Sequence, residues 1–466
     1  MTAHATDWGS VLENLARFDR PGPRYTSYPT AVEFHEGVGS AAYEAALAEA
    51  NEERAGEPLS FYSHLPFCEH RCLFCGCHVV ITPHMPVAKK YLEYLLREID
   101  LLAERLPNRT DIVQMHWGGG TPTYYDTDDL HSLFAKMREH FDFPEGAEIA
   151  VEVDPRVTSE EQLAVLAELG FNRLSLGVQD LTPEVQAAIT RDQTFEQTER
   201  LIEDARRHGF SEGINVDLIY GLPKQEPDSF GRSIDQVISL RPDRVALYSF
   251  AYVPWIKGHQ KKIDPDLLPT ADVKLQLYLD GMRRFLDAGY VPVGMDHFAL
   301  PDDDLAQAAD AGSLHRNFMG YSVMPAPDMV ATGVSGIGEV GSSFFQNRKK
   351  LSTYYEDLDA GRLPVTRGYA LDQDDRVRQH VIRELMCNFH VDHRDVEGRF
   401  SIDFADYFAS EIEALGELAD AGFVSMSDGD VRVTEAGRVF VRNACMEFDR
   451  YLRRPQADTP VFSRTV

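Results

Sequence analysis

Phe61-Tyr62-Ser63-His64-Leu65-Pro66-Phe67-Cys68-Glu69-His70-Arg71-Cys72-Leu73-Phe74-Cys75-Gly76-Cys77-His78 carries four of the chain's six cysteines within ten residues. Three thiolates at Cys68, Cys72 and Cys75, spaced C-x3-C-x2-C, can hold three corners of a four-iron cubane and leave the fourth iron without a protein ligand. An iron left open in this way can bind a small molecule directly. Zinc bound by the same sulfurs and His78 is the competing reading, although structural zinc sites usually draw their ligands from two separated pairs. Cys77 follows too closely to reach the same cubane and is read as a functional thiol. Cys387 and Cys445 stand alone in apolar helical contexts, as small buried hydrophobes do. The distribution is unlike a disulfide framework.

Upstream of the first cysteine, residues 60–65 read as a short apolar strand. Similar runs at 112–117, 148–153, 173–178, 214–220 and 244–250 alternate with longer segments of helical period, the signature of parallel β/α units. Their apolar character suits strands buried on both faces. Between the first two, Tyr91, Leu95, Ile99, Leu102 and Leu106 recur at spacings of three and four and draw one helix face. Six units predict an α/β fold, a partial (β/α)6 barrel with its site at the carboxyl ends of the strands. Cys68 follows the first strand, Gly118, Gly119 and Gly120 the second, Glu152 closes the third, Gln179 the fourth, and Asp217 lies in the fifth. Residues 1–55 are read as an N-terminal leader or lid, 56–368 as the barrel domain, and 369–466 as a mainly helical domain. The last carries a wing-like hairpin at 423–433, turning at Asp428 and Gly429, with Thr434 placed to cap a helix.

Hydrophobic residues make up 43% of the 466, ample for a core, and no run approaches the ~20 apolar residues of a membrane span. The first fifteen residues lack the pattern of a signal peptide, so a cytoplasmic location is expected. Asp and Glu number 75 against 46 Lys and Arg, a formal charge of −29 that opposes binding to nucleic acid or anionic lipid. The wing is therefore read as a packing or lid element rather than a DNA reader. An anionic substrate on such a protein requires cations concentrated at its site. Gly336-Ile-Gly338-Glu-Val-Gly341 spells G-x-G-x-x-G, but no βαβ unit surrounds it, and a ligand contact at Ile337 or a tight turn suits it better than dinucleotide binding.

The cysteine loop, with its aromatic Phe74, resembles the defining motif of the radical S-adenosylmethionine superfamily. Nearly the whole chain further resembles the oxygen-independent coproporphyrinogen III oxidase (coproporphyrinogen dehydrogenase) family of haem biosynthesis. The residues that carry this are Gly22-Pro-Arg24-Tyr25-Thr-Ser-Tyr28-Pro-Thr, Cys75-Gly-Cys77, His116-Trp-Gly-Gly-Gly-Thr-Pro-Thr123, Glu152-Val-Asp-Pro-Arg156, Gly177-Val-Gln179-Asp, Asp217-Leu-Ile-Tyr-Gly-Leu-Pro223, Met295-Asp-His-Phe298 and Leu314-His-Arg-Asn-Phe318.

The resemblance implies a [4Fe-4S] cluster on Cys68, Cys72 and Cys75, whose open iron is chelated by S-adenosylmethionine. Reductive cleavage of that cofactor's C–S bond then yields a 5′-deoxyadenosyl radical. It also implies two cofactor molecules. Tyr62, Gly119, Glu152 and Ile337 lie near one, and Phe74, Gly120, Thr121, Gln179, Arg191, Asp217 and Ala251 near the other. The implied substrate is coproporphyrinogen III, of which two propionates lose CO₂ and become vinyl groups. Cys77 and Arg24 are the expected catalytic groups, with Arg24, His315, Arg316, Phe318 and Met319 on the substrate side. The family pattern has glutamine where Met319 stands, which removes an amide from that side. A low-potential donor such as flavodoxin or ferredoxin, an electron acceptor and a monomeric state complete the expectation. A haem chaperone relative, which lacks the leader and Cys77, and a haem-modifying methyltransferase relative are the alternatives.

Overall fold

The computed structural model describes residues 8–210, 213–454 and 462–465. Residues 1–7 of the expected leader, and 455–461 and 466 of the expected C-terminal domain, lie outside the described residues. Strands β1 (Leu59–Leu65), β2 (Ile112–Gly119), β3 (Glu148–Val153), β4 (Arg173–Gln179), β5 (Ile214–Tyr220) and β6 (Arg244–Ser249) fall where the apolar runs place them. They pair in parallel in chain order. Helices Met85–Ala103, Thr127–His140, Glu160–Leu169, Phe195–Arg207 and Pro227–Leu240 fill the five crossovers. The first of these buries Tyr91, Leu95, Ile99 and Leu102, the stripe read from the sequence.

The sheet stays open and is larger than six strands. β7 (Val291–Val293) and β8 (His297–Ala299) extend it antiparallel beyond β6, while β9 (Asp328–Thr332) adds parallel to β1. β10 (Ile337–Val340), β11 (Ser343–Asn347) and β12 (Val365–Ala370) continue antiparallel, giving the order β12-β11-β10-β9-β1-β2-β3-β4-β5-β6-β8-β7. The G-x-G-x-x-G run is thus strand β10 and its turn, with no helix after it. A Cβ at Gly338 would come within 2.7 Å of the Met329 carbonyl oxygen.

One expectation is corrected by the burial pattern. The strands are not apolar on both faces: β3, β4 and β5 alternate strictly at their starts. Val151, Leu174, Leu176 and Val216 are buried under the helices, whereas Glu148, Glu152, Arg173, Ser175, Asn215 and Asp217 are half-buried on the other face. That face is concave in an open barrel and lines space rather than a second helix layer, so polar side chains are tolerated there.

The C-terminal segment begins with helix Gln373–Asn388, capped by Asp372, whose Oδ1 accepts from the Asp375 N–H at 2.8 Å. Strands Val424–Met426 and Asp430–Val433 form the expected wing, joined by a third strand, His390–Asp392. Thr434 Oγ1 accepts from the Gly437 N–H at 3.1 Å. Cys387 and Cys445 are buried and unbridged.

The N-terminal leader is fastened to this segment. Phe18 packs edge-on against Phe423, Asn443 Nδ2 donates to the Phe18 carbonyl at 2.8 Å, Arg442 Nε to that of Pro23 at 2.8 Å, and Tyr25 Oη to Asp449 Oδ2 at 3.0 Å. No helix among the described residues is long and apolar enough to cross a membrane.

Candidate active site

A cavity of about 360 Å³ opens at the carboxyl ends of β1 to β6. Cys68, Cys72 and Cys75 edge it, carried on the loop that leaves β1. The loop is held through its own backbone. The Leu73 N–H donates to the Ile189 carbonyl at 2.9 Å, Thr190 Oγ1 to that of Arg71 at 2.9 Å, and the His259 ring to that of Cys75 at 2.9 Å. Gln260 Nε2 adds a bond to the Phe74 carbonyl at 3.3 Å.

The thiols do not form a ready-made site for one ion. No three of the ligand atoms of Cys68, Cys72, Cys75 and His78 come within 4.8 Å of one another. Ligands of a single tetrahedral zinc sit only about 3.3–3.8 Å apart, as its ~2.0–2.3 Å bonds require. Arg156 Nη2 and Arg191 Nη1 each lie 3.8 Å from Cys72 Sγ, and both guanidiniums also bond Asp154, at 2.6 and 3.4 Å. Two cations beside the Cys72 sulfur suit it to carry negative charge.

Beside the cysteine loop, Gly118 and Gly119 close β2 and Gly120 follows them. The Gly120 N–H donates to the Leu65 carbonyl at 2.8 Å and the Thr121 N–H to that of Phe67 at 2.9 Å, tying this turn to the start of the cysteine loop. A Cβ on Gly120 would come within 2.6 Å of the Pro66 and Phe67 backbone, and one on Gly119 within 2.6 Å of the His64 ring. Glycine is demanded here first by the protein's own close packing.

Glu152 faces the cavity from the end of β3. Its Oε2 accepts from the Gly119 N–H at 3.0 Å and its Oε1 lies 3.4 Å from His116 Nε2. Burial pushes its carboxyl up, but the bond and charge of His116 and the Gly119 amide outweigh it and hold the group below its ordinary range. Asp217, on β5, differs. Burial dominates and raises it to about 6 although Asn215 Nδ2 donates to it at 2.8 Å. Gln179 reaches the cavity through a register shift in β4 and a left-handed backbone, φ 71°, a strained conformation of the kind that collects at working sites.

Phe74, Gly119, Gly120, Thr121, Glu152, Gln179, Arg191, Asp217 and Ala251, all named from sequence, line this one cavity, and so does the exposed Cys77. Tyr62 and Ile337 do not. The Tyr62 hydroxyl bonds His64 Nδ1 at 2.9 Å, and Ile337 opens strand β10. Arg24, His315, Arg316, Phe318 and Met319 are also outside the lining. Arg24 is ion-paired to Asp296, and its carbonyl accepts from Arg316 Nη1 at 3.3 Å. Phe318 packs edge-on against Phe344, and the Met319 N–H donates to Asn317 Oδ1 at 2.9 Å. His315 opens the short ribbon that pairs residues 315–317 with 320–322, opposite Ser322. Sequence reasoning did not single out His116, Asp154, Arg156, Tyr248 or Gln260. Arg156 stands in a quoted motif, yet its spacing from Cys72 gave no sign that the two would meet.

An open parallel α/β barrel with three thiols at the carboxyl ends of its strands defines a radical S-adenosylmethionine protein, and the family model described as the radical SAM superfamily matches residues 62–237. A second model, the HemN C-terminal domain, matches residues 371–440. The oxygen-independent coproporphyrinogen III oxidase of Pseudomonas aeruginosa is 42% identical over 98% of this chain and 99% of its own length. That of Helicobacter pylori is 41% identical over 95% and 97%. The solved structure of coproporphyrinogen III oxidase from Escherichia coli, a radical SAM enzyme, superposes with a TM-score of 0.88 at 43% identity over 92% of this chain and 97% of that one. The chain belongs to the oxygen-independent coproporphyrinogen III oxidase family.

Proposed function

We propose that this protein converts two propionate side chains of coproporphyrinogen III into vinyl groups with loss of two CO₂, giving protoporphyrinogen IX in anaerobic haem biosynthesis. The observation that carries the reading is the agreement of the chain with that family over 98% of its length, three thiols at the cavity edge included. Cys68, Cys72 and Cys75 are the residues to hold a [4Fe-4S] cluster, and their C-x3-C-x2-C spacing along the chain and the paired guanidiniums beside Cys72 suit it. Bound there, the cluster and S-adenosylmethionine supply the removal of a hydrogen atom from an unactivated carbon.

The chain's own residues bind and orient. Glu152, kept ionised by His116 and the Gly119 amide, accepts hydrogen bonds from ribose hydroxyls. Tyr62, Gly119 and Ile337 stand with Glu152 at this cofactor molecule. Gln179, Arg191 and Asp217 offer an amide, a guanidinium and an acceptor to the other, with Phe74, Gly120, Thr121 and Ala251 beside it. Cys77 faces the reacting space as a thiol outside the cluster. Arg24, paired to Asp296, and Arg316, which donates to the Arg24 carbonyl, brace the substrate side with His315, Phe318 and Met319. A low-potential flavodoxin or ferredoxin supplies electrons, a separate acceptor takes one per propionate, and the enzyme works as a cytoplasmic monomer.

Reduced, cluster-loaded protein given S-adenosylmethionine, an electron acceptor and coproporphyrinogen III is expected to release two CO₂ per tetrapyrrole. Absence of CO₂ with tight haem binding would point instead to a chaperone. Glu152→Ala is expected to weaken S-adenosylmethionine binding by about 10- to 100-fold, the loss of charge-assisted hydrogen bonds of about 1.5–3 kcal/mol, while iron content stays normal. Anaerobic equilibrium dialysis reads this directly, and unchanged binding would remove Glu152 from the cofactor's site.

A further inference from the structure

The cations named from sequence for the anionic substrate are engaged elsewhere, Arg24 with Asp296 and Arg316 against Tyr321 and the Arg24 carbonyl. A different set lies around the cysteine loop. Arg71 lines the cavity itself, Lys257 lies on the loop that His259 and Gln260 fasten to the cysteine loop, and Lys349 follows strand β11. None of the three is ion-paired to a carboxylate among the described residues, on a chain with 75 acidic side chains. Their positive charges converge on His78, which with burial as the larger cause depresses that ring's proton affinity. The His78 ring lies beside the Lys349 backbone, and its Nε2 is buried without a hydrogen-bond partner. Just before Lys257, Trp255 and Ile256 are 45% and 54% exposed. A rim of unpaired cations with an apolar shelf beside it is unusual on a protein of charge −29.

We propose that Arg71, Lys257 and Lys349 form the binding rim for non-reacting propionates of the tetrapyrrole, with Trp255 and Ile256 against its macrocycle. The proposal rests on the substrate assigned above and adds the residues that select it. Carboxylates spaced around a flat ring need cations spaced around an opening, and charge-assisted contacts at the rim hold such a ligand while its reacting propionate points inward. The same cations focus a polyanion towards a cavity that the net charge would otherwise repel.

The test uses cluster-loaded protein and coproporphyrin III, the fluorescent oxidised tetracarboxylate, with binding followed by fluorescence anisotropy. Lys257→Gln, Lys349→Gln and Arg71→Gln are each expected to weaken binding about tenfold and to flatten its salt dependence, with Lys257→Arg restoring most of the loss. KM for coproporphyrinogen III should rise in parallel while kcat changes less. Lys136→Gln, on a distant helix and paired to Asp100 and Glu139, serves as the charge-matched control and keeps wild-type binding. Variants that bind the porphyrin as tightly as wild type overturn the proposal. So does a defect confined to turnover driven by a protein donor and absent with dithionite, which would make the rim a docking face for an acidic electron carrier. Wild-type protein that binds through these cations yet releases no CO₂ would support the rim and reject the reaction.

Discussion

Replacing Cys68, Cys72 or Cys75 by alanine is expected to remove the iron–sulfur absorbance near roughly 400 nm and reduce turnover to background, because three thiolates are the fewest that hold a cubane with one open iron. The fold should survive. The cysteine loop is held by backbone bonds to Ile189, His259 and Gln260 rather than by its sulfurs, and Cys68 and Cys75 are only half-buried. Iron analysis after anaerobic reconstitution, with circular dichroism to check folding, reads both halves. A single variant that keeps full iron and activity would mean that the ligand set is wrong, and Cys77, exposed at the same mouth, would be the replacement to try.

The second large effect is expected at a residue with no side chain. A methyl group at Gly120 would lie 2.6 Å from the carbonyl carbon of Pro66 and the carbonyl oxygen of Phe67, neither of which belongs to a flexible side chain. Gly120→Ala must therefore push the turn after β2 away from the start of the cysteine loop. It breaks the Gly120–Leu65 and Thr121–Phe67 bonds that fix their spacing. The strain costs about 1–3 kcal/mol and falls on the cavity wall shared by Cys68, Gly120 and Thr121. S-adenosylmethionine affinity should drop by more than about tenfold, with cluster loading reduced, whereas Gly146→Ala, with nothing within 4 Å, should cost only its backbone strain. A Gly120→Ala protein with wild-type iron and cofactor binding would show that the two loops move independently.

Much of this was legible in the sequence, for identifiable reasons. Strands β1 to β6 show as short segments rich in apolar residues, and the helix Met85–Ala103 after the first keeps the stripe read for it. The cysteine spacing and its place after β1 made the cluster readable. The outer strands β7 to β12 escaped because they are three to six residues long and several are rich in glycine or polar residues, so pairing with a neighbour, not their own pattern, makes them strands. The polar concave face escaped for a related reason. Glu152, Ser175 and Asp217 look like interruptions in apolar runs until the open barrel gives them a cavity to face.

Charge was the least transparent. Counting cations near a motif found Arg24 and Arg316 but not Asp296, 272 residues from Arg24, which pairs with it. It likewise missed Lys257 and Lys349, which meet only when residues 78, 257 and 349 fold together. Gln179 was named for its position at the end of β4, where it lines the cavity, but its left-handed backbone has no signature in a residue that is not glycine.

The central claim is that this cavity removes hydrogen from the β-carbon of a propionate before CO₂ is lost. The most direct test gives the reduced, cluster-loaded protein S-adenosylmethionine, an electron acceptor and coproporphyrinogen III deuterated at those carbons, then analyses the nucleoside by mass spectrometry. One deuterium per CO₂ released should appear in 5′-deoxyadenosine, since direct abstraction leaves the label no other path. Release of CO₂ with unlabelled 5′-deoxyadenosine would contradict the account, keeping the substrate but rejecting hydrogen abstraction at that carbon.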